Sequence, residues 1–542
     1  MRWTRTNMRA ALLVGLALSP PLAAQELLWT LLGPGESGVG GGGPVAIGDI
    51  DGDGWYDLLT GGETRTRIRG HTELWFLSGR DASVLRVQPA RVETNHSFAR
   101  MASTGDMDGD SIADYAVISR DAARQVRILE ICSARDDRIL WSRERPYSGY
   151  LGYALEGDLD LDGDRKPDVI VSDTRVQPGG AIYAYSNNGT LLYTVLGTQQ
   201  LILGISLAKV GDVDGDGKDE FVSGAYDVDD LGRALLISGA DGRILQTGRG
   251  ELPGDYTGYA VTGCGDLDGD GAPDFASGGD TFFSARGAVR VFSGRTGNVI
   301  YTLTGPSPRT DGFGSALVGG HDFDQDGVPD LVIGAPGVIK YSGVFVISGR
   351  DRAVLYQEAG SYNVGYVVGA LRAAPGSPFP LFFLPQGAYY VNPGWGRTRC
   401  FRGAPKGVQV FGSPFRGTQP TFPKIGLRDL GTNGVRIHLS GAEPGRPAAL
   451  LLGWSRSTYL GQPLPMALYP FGFPDGSMLY TSIDSMVGVT TGTTGIASGY
   501  AYVDLPLRPT DPGSLTIHAQ WLCFDAAHRP AAFSQAISWR VH

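Results

Sequence analysis

Asp266-Leu267-Asp268-Gly269-Asp270-Gly271-Ala272-Pro273-Asp274, followed at once by Phe275-Ala276, decides how this chain reads. Carboxylates at positions one, three, five and nine, with glycines at four and six to let the backbone fold back, aim hard oxygens at one point. That is the donor set of a calcium cage. The pattern returns in loops that start at Asp49, Asp106, Asp160, Asp212 and Asp322, with successive starts separated by 57, 54, 52, 54 and 56 residues. Six cages at one period define a repeat array.

The side chains read as ligands are Asp49, Asp51, Asp53 and Asp57; Asp106, Asp108, Asp110 and Asp114; Asp160, Asp162, Asp164 and Asp168; Asp212, Asp214, Asp216 and Glu220; Asp266, Asp268, Asp270 and Asp274; and Asp322, Asp324, Asp326 and Asp330. The backbone carbonyls at position seven, from Trp55, Ile112, Lys166, Lys218, Ala272 and Val328, complete each set. An EF-hand would place helices on both sides and a bidentate Glu at position twelve. Here strand-like sequence flanks each loop and the last acid falls at nine.

The fifth copy shows a whole unit. Tyr259 to Gly263 enters the cage, Phe275 to Gly278 leaves it, Gly287 to Ser293 alternates as a third strand, Gly294 to Gly297 turns, and Asn298 to Thr304 is a fourth. Four short antiparallel strands make a propeller blade. A second marker checks the phase: the turn opening at Ser78 returns at Ser133, Ser186, Ser238, Ser293 and Ser348, at intervals of 55, 53, 52, 55 and 55. Beyond Ser348 the aspartates stop, but Gly365 to Gly369, Leu381 to Leu384 and Arg397 to Phe401 trace three strands of a metal-free seventh unit. Glu26 to Pro34 repeats the pattern of Val299 to Pro306, so residues 26–32 supply the missing fourth strand and close the ring from the other chain end.

The expected organisation is therefore all-β: a leader over 1–24, a seven-bladed propeller over 25–404, and a β-sandwich-like domain over 405–542. The leader reading rests on Arg2, Arg5 and Arg9 ahead of the apolar run 11–18 and a small-residue end at Ala24, which is half the span a membrane helix needs. No later stretch is long and apolar enough to span, so the expectation is a secreted or cell-surface protein. In the last domain, Val435 to Leu439, Ala448 to Trp454, Ala497 to Leu505, Ser514 to Phe524 and Ser534 to Val541 read as strands without a repeat period.

Among 542 residues, 81 Gly and 33 Pro with 19% charged residues fit many short strands and tight turns. The net charge of −10 is concentrated in the cages, and no basic stripe exists to neutralise phosphates, which argues against a nucleic-acid partner. Cys132, Cys264, Cys400 and Cys523 are too few and too scattered for a disulfide framework. Buried free thiols are expected, with a Cys400–Cys523 staple as the alternative.

Phe313-Gly314-Ser315-Ala316-Leu317, the cage Asp322 to Asp330, then Leu331-Val332-Ile333-Gly334-Ala335-Pro336 resemble the FG-GAP repeat of the integrin α-subunit propeller. The resemblance covers roughly residues 25 to 404. It implies a seven-bladed propeller with calcium, here up to six ions, between the first and second strands of its blades, acting in extracellular recognition or adhesion. The C-terminal region is similar to modules on secreted bacterial proteins, which implies a bacterial source. The chain departs from the pattern at position six (Ser111, Arg165), position four (Gln325) and position nine (Glu220), and Asp158 adds an acid two residues before the third cage.

Catalytic signals are sparse. Gly453-Trp454-Ser455-Arg456-Ser457 is one residue short of a nucleophile elbow and lacks its strand-to-helix setting. Gly33 to Gly38 fits a dinucleotide-loop pattern without a βαβ unit around it. His438, His518 and His528 are placed on strand faces. The reading is a non-enzymatic recognition or adhesion protein with an extracellular protein or glycan ligand and mainly structural calcium. The alternatives are a polysaccharide lyase or hydrolase, which would need an Arg, Lys, Tyr or His cluster on one rim, and a structural component of the cell envelope.

Overall fold

The computed structural model describes residues 13–15, 25–32, 44–66, 69–89, 100–121, 124–146, 149–227, 231–251, 255–279, 287–305, 312–336, 343–359, 368–371, 380–386, 397–405, 409–411, 423–429, 435–460, 462–468, 478–493, 498–505 and 515–541. Every regular element among them is a β-strand. Seven sheets share one plan, four antiparallel strands ordered first to fourth as the chain runs. The fifth is typical: Ala260–Gly265, Asp274–Gly278, Ala288–Phe292 and Val299–Thr304, with Leu13–Gly15 lying parallel along its outer strand. In the sheet of Gly369–Leu371, Leu381–Gln386 and Arg397–Pro405, the fourth place is taken by Gln25–Leu32. Residues 365–367, read from sequence as part of a first strand, lie outside the described residues.

The first strand of each sheet packs against the first strand of the next, and Gly369–Leu371 returns to Val45–Ala46. The fold is a β-propeller. Its packing explains a contrast in the sequence. Second strands such as Asp168–Asp173 and Asp330–Ala335 are buried along their whole length, because both of their faces meet a neighbouring sheet. Val169 and Val171 join the core shared with Ala116 and Leu129, while Ile170 faces Leu207 and Phe221 on the other side. Outer strands such as Leu191–Leu196 have only one face covered, so half-buried Leu192, Tyr193 and Val195 are interspersed with exposed Leu191, Thr194 and Leu196. The Gly elements let backbones approach: a Cβ on Gly278 would meet the carbonyl oxygen of Gly314, from the Phe-Gly element of the next repeat, at 2.0 Å.

Past residue 405 two sheets face each other. Gln409–Phe411, Pro530–Val541, Leu515–Phe524, Pro447–Gly453 and Ser485–Thr490 form one; Lys424–Asp429, Val435–Ser440 and Ala501–Leu505 form the other. Leu450, Ile517 and Trp521 pack on Ile425, Leu427, Ile437 and Leu439 between them. The Trp521 indole donates to the His438 carbonyl at 2.7 Å, which satisfies its one polar atom inside that core. His528 corrects the sequence reading: it occupies the turn before Pro530–Val541 with φ 58°, where Asp525 accepts backbone N–H groups. All four cysteines are buried and free, so no Cys400–Cys523 staple forms.

Candidate metal centres

Each acidic loop joins the first strand of a sheet to its second, and the same hydrogen bonds recur in it. The position-one carboxylate accepts from the N–H of position four at 2.6–2.7 Å in the first five loops. Its second oxygen accepts from position six at 2.8–3.0 Å in all six. The carboxylate thus spans the loop and winds it into a tight coil. That coil needs left-handed backbone at four and six, and the departures keep it: Ser111 has φ 70°, Arg165 φ 63° and Gln325 φ 59°.

Position nine ties the loop to the rest of the blade. One oxygen accepts from the position-two N–H at 2.7–2.9 Å, from Ile50, Met107, Leu161, Val213, Leu267 and Phe323 in turn. The other accepts from Gly79, Ala134, Asn187, Gly239, Gly294 and Gly349 at 2.9–3.4 Å. Each of those donors follows the serine that opens the turn between third and fourth strands. The two periodic markers in the sequence are thus two ends of one hydrogen-bonded unit. Glu220 spans the same two donors with its longer side chain.

The position-nine groups are fully buried. Burial pushes Asp57 and Asp114 up to about 6, and Asp168, Glu220 and Asp274 up to about 7; their backbone N–H donors oppose the rise and the neighbouring loop carboxylates add to it. Asp330 is pushed well above the ordinary carboxylate range, by burial first and then by Asp324, Asp322 and Asp326 close by. Concentrated negative charge of this kind is relieved by a cation.

The donor geometry fits one. In the first loop Asp49, Asp51 and Asp53, and in the next four the residues at one, three and nine, place carboxylate oxygens within 4.8 Å of one another. Ligands about 2.3–2.6 Å from a shared calcium ion lie no more than about 5 Å apart. Asp322, Asp324, Asp326 and Asp330 form the sixth loop with the same backbone pattern. Asp158 stands outside its cage; its carbonyl accepts from the Lys209 ammonium, which also pairs with Asp219 at 2.9 Å.

Sequence reasoning missed a set of guanidinium groups. Arg135, Arg295 and Arg350 reach back from the serine turns to the position-five carboxylates of Asp110, Asp270 and Asp326 at 2.5, 3.2 and 3.0 Å. Arg138 and Arg243 hold the position-three carboxylates of Asp108 and Asp214 at 2.7 and 3.2 Å. The signal was present, since Arg80, Arg135, Arg295 and Arg350 all stand third in the turn. In the last domain, Ser455 accepts from the N–H groups of Ser457 and Thr458, so its hydroxyl caps a turn.

A propeller with acidic coils between the first and second strands of its sheets defines the class, and family comparison agrees. The FG-GAP-like repeat model matches residues 160–223 and the FG-GAP repeat model residues 313–347. The chain thus carries FG-GAP-type repeats over these stretches. It is 33% identical over 240 residues to integrin alpha-PS2 of Drosophila melanogaster, covering 39% of this chain and 16% of that protein. It is 32% identical to integrin alpha-5 of Xenopus laevis over 222 residues and to human integrin alpha-IIb over 217, each match covering 35% of this chain and 20% of the relative. The chain therefore spans a fifth or less of the length of these relatives.

Proposed function

We propose that this is a secreted, calcium-loaded, seven-bladed propeller, spanning residues 25–404 beside a sandwich domain, that recognises an extracellular protein or glycan without chemical turnover. The single observation that carries the reading is the sixfold recurrence of a carboxylate coil whose position-nine acid is buried against the serine turn. Calcium bound by the named carboxylates and the position-seven carbonyls neutralises that charge and stabilises the folded blades by mass action. Affinities of about 10⁻⁴ to 10⁻³ M, common in extracellular modules, would keep such sites filled outside cells. The integrin relatives support the recognition role. No helix among the described residues is long and apolar enough to cross a membrane.

A glycan-cleaving reading has one observation in its favour. Arg127, Arg175, Tyr150 and Tyr153 cluster near the strand ends opposite the acidic loops. Both guanidinium groups, however, stack on the Tyr150 ring, at 4.3 and 4.9 Å from its centroid, and Arg127 also donates to the Leu151 carbonyl, which is how a packed corner is built. The deciding experiment incubates the protein with extracellular polysaccharides and candidate matrix proteins, in calcium and in EDTA, and scores retention and new chain ends. Calcium-dependent retention without new ends is expected; new ends would overturn the non-enzymatic reading.

A further inference from the structure

Five of the six acidic loops open onto solvent at positions three to five, but the sixth does not. Asp324 is 2% exposed, Gln325 7% and Asp326 0%. What covers them is the three-stranded sheet of the C-terminal sandwich. Its inner face, Ile425, Leu427, Ile437 and Leu439, fills the sandwich core. By the alternation of side chains along a strand, its other face carries Gly426 paired with His438, and Ser440 paired with Lys424. That face lies on the loop. The Ser440 hydroxyl donates to the Gln325 carbonyl at 3.2 Å. A Cβ on Gly426 would meet the Asp324 carbonyl oxygen at 2.3 Å, and one on Gly327 would sit 2.8 Å from the Ser440 Cβ. His438, fully buried, holds Nε2 3.8 Å from an Asp324 oxygen and Nδ1 2.7 Å from the Tyr500 hydroxyl. Arg350, paired with Asp326, places its guanidinium carbon 3.4 Å above the Tyr500 ring.

We propose that the sixth loop is a metal-dependent clamp between domains: a divalent cation held by Asp322, Asp324, Asp326 and Asp330 fixes the coil on which the sandwich sits, and its loss releases the sandwich from the propeller. The proposal rests on the calcium-binding reading above. It also accounts for Gln325, the one residue to replace glycine at position four: its carbonyl is the docking point, and solvent no longer bounds the loop there. Because the coil and the sandwich share one interface, cation binding and docking strengthen each other by the same factor.

The test uses the full chain with spin labels on cysteines introduced at Leu196 and Met486, which are 58% and 62% exposed, the native thiols being buried. Bound calcium is counted by equilibrium dialysis, and the distance between labels is read by electron–electron resonance. Asp326→Asn is expected to lose one ion and broaden the distance distribution in calcium, whereas Asp270→Asn in the fifth loop is expected to lose one ion and leave it narrow. Loss of an ion from Asp326→Asn with an unchanged distribution would overturn the clamp. Gly426→Leu tests it from the sandwich side and leaves every ligand intact: one ion should bind at least about fivefold more weakly and the other five unchanged, and six unchanged affinities would overturn the clamp as well. If the wild-type chain binds no calcium, the cation reading itself falls and takes the clamp with it, an outcome that dialysis alone identifies.

Discussion

At the residue scale, the position-nine acid is the most constrained side chain in each repeat. Asp274 accepts from Leu267 on one oxygen and Gly294 on the other, at 2.7 and 3.0 Å, inside the protein. Asp274→Asn keeps the shape but turns one acceptor into a donor facing an N–H. A loss of about 1–3 kcal/mol is expected from the unsatisfied group, together with one fewer bound ion; calorimetry and dialysis in calcium check both, and an unchanged melting temperature would count against the assignment. Spacing alone pointed to positions one, three, five and nine, because all four lie within one nine-residue coil. The partner at Gly294 lies beyond a whole strand, and sequence shows only that both ends keep the same period. His438 was legible merely as a strand residue, since the loop it meets belongs to another domain.

At the element scale, a loop and its turn behave as one titrating unit. Without a cation, position-nine acids raised to about 6 or 7 bind protons more tightly in the folded chain than in the unfolded one. Stability in EDTA should therefore be greatest below about pH 4 as far as these groups are concerned, and should fall as pH rises through 6 to 7. Calcium binds the ionised form, so its affinity should climb across the same window. Urea unfolding at several pH values, with calcium and with EDTA, separates the two trends; parallel curves would remove the cation from the account. Strands were legible because second strands carry short apolar runs such as Val169–Val171 and Leu331–Ile333 directly after the acidic loops. The turn guanidinium groups went unnoticed because a recurring arginine in a turn also fits plain solvent exposure.

At the scale of the molecule, the strand Gln25–Leu32 hydrogen-bonds to Arg397–Pro405 and gives that sheet its fourth member. A chain that begins at Gly33 should leave a free edge there and associate through it; size-exclusion chromatography with light scattering should show oligomers where the longer chain is monodisperse, and a monodisperse short chain would refute the role given to this strand. The likeness of Glu26–Leu32 to a fourth strand was visible in the sequence because each outer strand repeats one pattern. The seat of the sandwich on the sixth loop was not, because a single Gln in place of Gly carries no direction.

The strand pairing between the two ends of the propeller also sets a clock. Each of the other six blades takes its four strands from one stretch of chain, but this one waits until Arg397–Pro405 exists, so Gln25–Leu32 is made ahead of the six other blades and finds its place only after them. Until then the growing chain is an arc with an open seam, and the span during which that seam stays exposed scales with the length of the whole array.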